Sequence, residues 1–180
     1  APGASTKRVL INVGFVRQNY NTCAPATLAT LSRFWNLPAE HMDIVESICY
    51  DGTPGHRSRE WAESHGFVAR EFRVTWESTQ ALLDRDIPFT LTTDGPYAGH
   101  LQAVIGYDAW RHSLLVRDPQ SRIVHEYSAL WFEEYMTATG PRGMVLLPPE
   151  QRSRLEGIEL PDTLLYDAFH QIQVAIQHHR

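Results

Sequence analysis

Cys23, one of two cysteines in this chain, stands where a polar, turn-forming stretch, "RQNYNT", gives way to an apolar-periodic one, "CAPATLATLSRFW". A cysteine kept for packing usually sits inside a hydrophobic run. At a helix N-terminus it meets unpaired N–H groups and the positive end of the helix dipole, and both favour a thiolate. A free thiol, with a pKa of about 8.5, is ionised to only a few per cent at neutral pH, so such a placement raises its reactive fraction. Acyl-transfer chemistry also needs a base, a group that orients it, and donors for an oxyanion. Gln18 lies five positions upstream in the loop, where its side-chain NH2 could meet the Cys23 N–H around an oxyanion. His100, the candidate base, opens "HLQAVIGYD" after "GPYAG", whose small residues let a substrate approach the backbone. Tyr97 and Gly99 there, with Tyr20 ahead of Cys23, are the candidate substrate contacts. Asp118 ends "SLLVRD" and is held extended by Pro119.

Bringing His100 to Asp118 requires a hairpin. If 100–107 and 111–118 pair with Tyr107 facing Arg111, His100 lies opposite Asp118 on one face, Cβ atoms about 5 Å apart. A slip of one residue would put the two on opposite faces, whereas a slip of two would not. The carboxylate would then orient the imidazole and stabilise its charged form.

The surrounding pattern supplies the elements. Residues 8–16 suggest a strand or extended entry. Thr22 is the expected N-cap of a helix over 23–35, with Pro25 in its first turn. Further helices are expected at 39–49, 56–65 and 77–86. The period then changes to short alternating or β-branched runs at 88–93, 100–108, 113–118 and 122–127, followed by a helix at 128–136 and a strand at 143–148. Helices first and an antiparallel meander second imply an α+β domain over 1–149. Residues 148–157 suggest a linker, and 150–180 a linker with a terminal helix. Leu165, Phe169, Ile172 and Ile176 form an apolar stripe on that helix, which needs a cover and could recruit a protein partner or a second copy.

Composition narrows the classes. With 43% hydrophobic and 21% charged residues, 180 residues suffice for one well-buried domain and do not suggest disorder. A formal net charge of −5 argues against a nucleic-acid partner. No apolar run reaches the roughly 20 residues of a membrane span. A cytoplasmic location is favoured, with export left open. No HExxH or CxxC spacing calls for a metal, and no cofactor is expected. Cys49 falls in an apolar helix and suits a structural role. Trp61, Trp76 and Trp110 suit the core or its rim.

Gln18, "CAPATLATLSRFW", "GHLQAVIGYD" and "LLVRDP", in that order, resemble the bacteriocin-processing, double-glycine-leader cysteine peptidases and their peptidase-like relatives in the papain-like group. The likeness spans roughly residues 8–148, and its specificity lies in the ordered set of four. It implies a papain-like fold, a peptide or protein substrate, Cys23 as nucleophile, His100 as base and acid, Asp118 as orienting residue and Gln18 in the oxyanion hole. It also implies a cut after a small residue such as glycine. The leader peptidases usually carry Asp-Cys-Gly where this chain has Thr22-Cys23-Ala24. No GxxxxGK[ST] loop is present, so the chain looks like the stand-alone branch without a transporter.

Taken singly, each residue has a commonplace alternative: a buried cysteine, a satisfied strand histidine, a turn aspartate, a loop glutamine. Taken together, they leave three functions open. These are a cysteine peptidase, a cysteine-dependent acyltransferase of transglutaminase type, and a peptide-binding module that no longer turns over.

Overall fold

The charged stretch "VAREFR" departs from the expected elements: Val68–Arg73 forms a strand in which Ala69, Glu71 and Phe72 are buried and only Arg73 is fully exposed. In the computed structural model of the protein, residues 7–10, 12–94, 99–135 and 141–178 are described. In chain order the elements are β1 (Lys7–Val9), α1 (Cys23–Phe34), α2 (His41–Ile48), α3 (Gly55–Ser64), β2 (Val68–Arg73) and α4 (Trp76–Leu83). There follow β3 (Phe89–Asp94), β4 (Gly99–Asp108), β5 (Ser113–Arg117), β6 (Val124–Ser128), α5 (Ala129–Tyr135), β7 (Arg142–Leu147) and α6 (Thr163–His178). The helix-then-meander order is the expected α+β architecture.

All seven strands join one antiparallel sheet in the order β2-β7-β3-β4-β5-β6, with β1 beside β4. Strands β1 and β3 share one edge of β4: β1 pairs with Gly106–Asp108 and β3 with Gly99–Val104. The entry strand is shorter than 8–16 suggested, because only Lys7–Val9 finds a partner. Helix α1 is buried from Ala24 to Ser32 and lies against α2, α3 and β4. Leu28 and Leu31 of α1 join Phe72, Phe89, Leu91 and Val145 of the sheet in the core. Each such side chain contributes about 1.5–3 kcal/mol by leaving water. The segment read as a linker is a 3-10 helix, Pro149–Leu155, and Leu155, Ile158 and Leu160 pack on the core.

The hairpin differs from its expected register. Tyr107 faces Leu114, not Arg111, and the turn is wider, with the Asp108 carboxylate accepting from the N–H groups of Trp110 and Arg111, both at 3.1 Å. Counted from this turn, an unbroken ladder would put His100 and Asp118 on opposite faces. A bulge between Val104 and Gly106 inserts one residue, so that Ala103 faces Arg117. Continuing the ladder sets Asp118 across from Gln102, two residues from His100 and on its face. Parity is restored by the bulge.

Helix α6 attaches by its polar side. Asp167 pairs with Arg59 at 2.7 Å, Arg142 lies over Tyr166 at 5.8 Å, and His170 is buried. The apolar stripe of Leu165, Phe169, Ile172 and Ile176 faces outward and is exposed. The core does not cover it.

Candidate active site

Thr22 occupies the N-cap position of α1, but its hydroxyl does not cap. It accepts from the Asn19 N–H at 2.8 Å and donates back to the Asn19 carbonyl at 3.2 Å. This turns the loop on itself and leaves the first-turn amides of α1 to another acceptor. Cys23 is a half-buried free thiol at that point. Burial alone would push its pKa up. The His100 imidazole outweighs this, as donor and as charge, together with the N–H groups of Leu101 and Ala24, and the thiol lies below its ordinary value.

His100 comes from the first residues of β4. Its Nε2 lies 3.0 Å from Asp118 Oδ1, an oxygen that also accepts the Gln120 N–H at 2.7 Å. With Nε2 engaged by the carboxylate, Nδ1 is the ring nitrogen left for the thiol. Burial opposes a charged imidazole, but Asp118 and Cys23 together raise its pKa to about 9. Asp118 is buried, which by itself raises a carboxyl pKa. The hydrogen bond from His100 and the Gln120 amide reverse that, and the carboxylate lies below its usual range. Each of the three groups therefore holds its partner in the charged form.

Two attachments fix the helix to the strand. Thr27, one turn beyond Cys23, donates its hydroxyl to the Leu101 carbonyl at 3.0 Å, while the Leu101 N–H serves the thiol. Behind His100, Tyr127 donates to Gln102 Oε1 and the Gln102 amide donates to Thr93, both at 2.9 Å. Thr27 and Gln102 were not among the residues picked out in the sequence. The i, i+4 spacing of Cys23 and Thr27 was the available signal for the first.

The remaining candidates divide. Gln18 is tied by its backbone N–H to the Pro119 carbonyl at 3.0 Å, next to Asp118, and its Oε1 is buried without a hydrogen-bond partner among the described residues. Gly99 lines the same cavity as Cys23. Tyr20 is 87% exposed and lies outside that cavity's lining. Tyr97 lies outside the described residues. Cys49 follows α2 instead of lying in it, and its thiol points to the Asn21 carbonyl at 3.5 Å, tethering the loop before Cys23. Trp61 is buried in the core, whereas Trp110 is exposed. Among the described residues no group of three or more His, Cys, Asp or Glu side chains could hold a metal ion, and no helix is long and apolar enough to cross a membrane.

A family model described as "Peptidase_C39 like family" matches residues 10–141. The chain belongs to this family. It is a family of cysteine-type peptidases, and the match takes in Gln18, Cys23, His100 and Asp118 together. Solved structures share the fold. The peptidase domain of Streptococcus ComA, a bi-functional ABC transporter involved in quorum sensing, is 21% identical with a TM-score of 0.59, covering 76% of this chain and 98% of that one. A protein described as a C39-like peptidase from Bacillus anthracis is 16% identical with a TM-score of 0.65, covering 78% and 97%. A double-glycine-motif protease from an AMS/PCAT transporter, solved with its leader peptide, is 14% identical with a TM-score of 0.56, covering 79% and 98%. No curated protein matches the chain.

Proposed function

We propose that the chain is a cysteine peptidase that hydrolyses a peptide bond through Cys23, His100 and Asp118. The observation that carries this is the pairing of His100 Nε2 with Asp118 at 3.0 Å, beside a thiol whose ionised form is favoured. Cys23 sulfur attacks the substrate carbonyl carbon as a thiolate, and the carbonyl electrons move onto oxygen. The Cys23 N–H and the Gln18 side-chain amide are the intended oxyanion donors. Collapse breaks the C–N bond, and His100 gives its proton to the departing amine. His100 then removes a proton from water, which attacks the thioester and releases the acid and the thiolate. Asp118 holds the ring with Nδ1 toward sulfur and stabilises its charge. A peptide substrate is supported by the leader peptide bound to the double-glycine-motif protease of the same fold. A small residue such as glycine before the cut follows from the resemblance to the leader peptidases.

The test is cleavage of a diverse peptide pool, followed by mass spectrometry, with wild type and the Cys23→Ala and His100→Ala variants. Wild type should produce defined new termini, and Cys23→Ala should lose at least about 10⁴-fold in rate. Products capped by an added amine would instead indicate acyl transfer. Peptides bound by both wild type and Cys23→Ala, and left intact by both, would indicate a binding module.

A further inference from the structure

The cavity that Cys23 opens onto has a volume of about 490 Å³, far more than a glycine residue needs. Besides Cys23 and Ala24 it is lined by Gly55, Ser58, Glu71 and Arg142. Arg142 presses its guanidinium against the start of α3: Nη1 lies 3.0 Å from where a Cβ on Gly55 would sit. This is an unfavourable place for a cation, because a helix begins with its positive end and with N–H groups that have no intrahelical acceptor. Nothing local relieves it, since α3 has no acidic residue in its first turn and no side-chain cap.

Glu71 compensates only on the far side of the guanidinium. Its Oε1 accepts from Nε of Arg142 at 2.8 Å and also from Nη2. Its Oε2 is sealed from solvent and turned to Arg59 at 3.5 Å. Nη1 of Arg142 thus has no hydrogen-bond partner among the described residues. Ser58, only 8% exposed and lining the same cavity, also has none for its hydroxyl. The cavity's other carboxylate, Asp51, is exposed and lies 3.5 Å from the Asn21 amide. The Arg57 N–H of α3 is taken by the Pro54 carbonyl at 3.0 Å, so a cation, a buried hydroxyl and the two amides ahead of it, of Gly55 and His56, converge with their donors unspent.

We infer that this cavity is a subsite for a peptide carboxylate, received by Arg142 Nη1, Ser58 Oγ and the Gly55 and His56 amides that open α3. The inference deepens the peptidase reading and rests on it for the word substrate. The carboxylate comes either from an acidic side chain near the cut or from a peptide C-terminus. A neutral amide of the same shape gains no charge-assisted bond and binds less well.

Binding to the full chain carrying Cys23→Ala tests this without turnover, read by fluorescence anisotropy of labelled peptides. One set places Glu or Gln at successive positions in C-terminally amidated peptides. A second set, without acidic side chains, ends in a free carboxylate or an amide. One carboxylate form should bind roughly tenfold or more tighter than its amide counterpart, and which one does so identifies the source. The preference should fall in Ser58→Ala and in Arg142→Lys, which keeps the charge but not the fork. It should vanish in the double variant Arg142→Met/Glu71→Gln, which removes the pair together so that no buried charge is stranded; should that variant not fold, the other two decide. Equal binding of acid and amide peptides, or a preference that survives these changes, overturns the subsite. Acid-selective binding by a chain that cleaves no peptide would sink the peptidase reading and leave the subsite standing. Cleavage with no charge preference would do the reverse.

Discussion

At Cys23 the decisive fact is which protonation states coexist. Burial disfavours the thiolate, but the imidazole and two backbone amides outweigh it, so the thiol titrates below its ordinary range. His100 titrates at about 9, held up by Asp118 and by the thiolate itself. These are properties of a coupled pair, so activity should follow two macroscopic steps. The acid limb of kcat/KM reports loss of the thiolate as pH falls. The alkaline limb, near 9, reports loss of the imidazolium proton that the leaving amine needs. Asp118→Asn removes the largest support for that proton, so the alkaline limb should move to lower pH, with a rate loss on the order of 10²-fold or more. An unmoved limb would show that the carboxylate does not govern the base. The pH dependence of Cys23 alkylation by iodoacetamide should shift in His100→Ala, with Cys49 as internal reference.

At the scale of elements, the site depends on how α1 meets β4 and how β4 meets β5. Thr27 joins the first pair, one helical turn from the nucleophile and through the same residue whose N–H serves the thiol. Thr27→Val keeps the shape but leaves the Leu101 carbonyl unpaired, at a cost of about 1–3 kcal/mol. Denaturant unfolding should show that loss. The accompanying upward shift of the Cys23 thiol pKa separates a positioning role from a merely structural one. The second pair depends on the bulge before Gly106, where β1 crosses so closely that a Cβ would lie 2.3 Å from the Arg8 carbonyl oxygen. Backbone cannot yield as a side-chain tip does, so Gly106→Ala should expel β1 or distort the bulge, costing about 1–3 kcal/mol.

Across the whole molecule, one buried arginine ties three elements together. Arg59 of α3 reaches Glu63 at 2.9 Å, Asp167 of α6 at 2.7 Å and Glu71 of β2 at 3.5 Å. Arg59→Met would take the cation from all three carboxylates, of which buried Glu71 keeps Arg142, and should cost roughly 1–3 kcal/mol in urea unfolding. Arg33→Gln, which removes only the exposed pair with Glu40 at 3.3 Å, should cost no more than about 1 kcal/mol. The same cluster explains the orientation of α6. Its charged and aromatic side is drawn to Arg59 and Arg142, which leaves Phe169 and its apolar neighbours outward.

Local patterning was enough to place α1 and the strands of the meander and to single out Cys23, His100 and Asp118, which the fold brings together, because side-chain period and helix-start chemistry are written in consecutive residues. It also put His100 and Asp118 on one face. It did so through a register that the molecule does not use: Tyr107 faces Leu114, and a bulge supplies the parity that a tighter turn was expected to give. Strand β2 was missed because Arg70 and Glu71 look solvated until Arg59 and Arg142, distant in the chain, neutralise Glu71. For the same reason the sequence alone did not reveal the cavity beside Cys23. Its wall is drawn from α3, β2 and β7, and pairings between remote segments are set by tertiary packing, which no local period records.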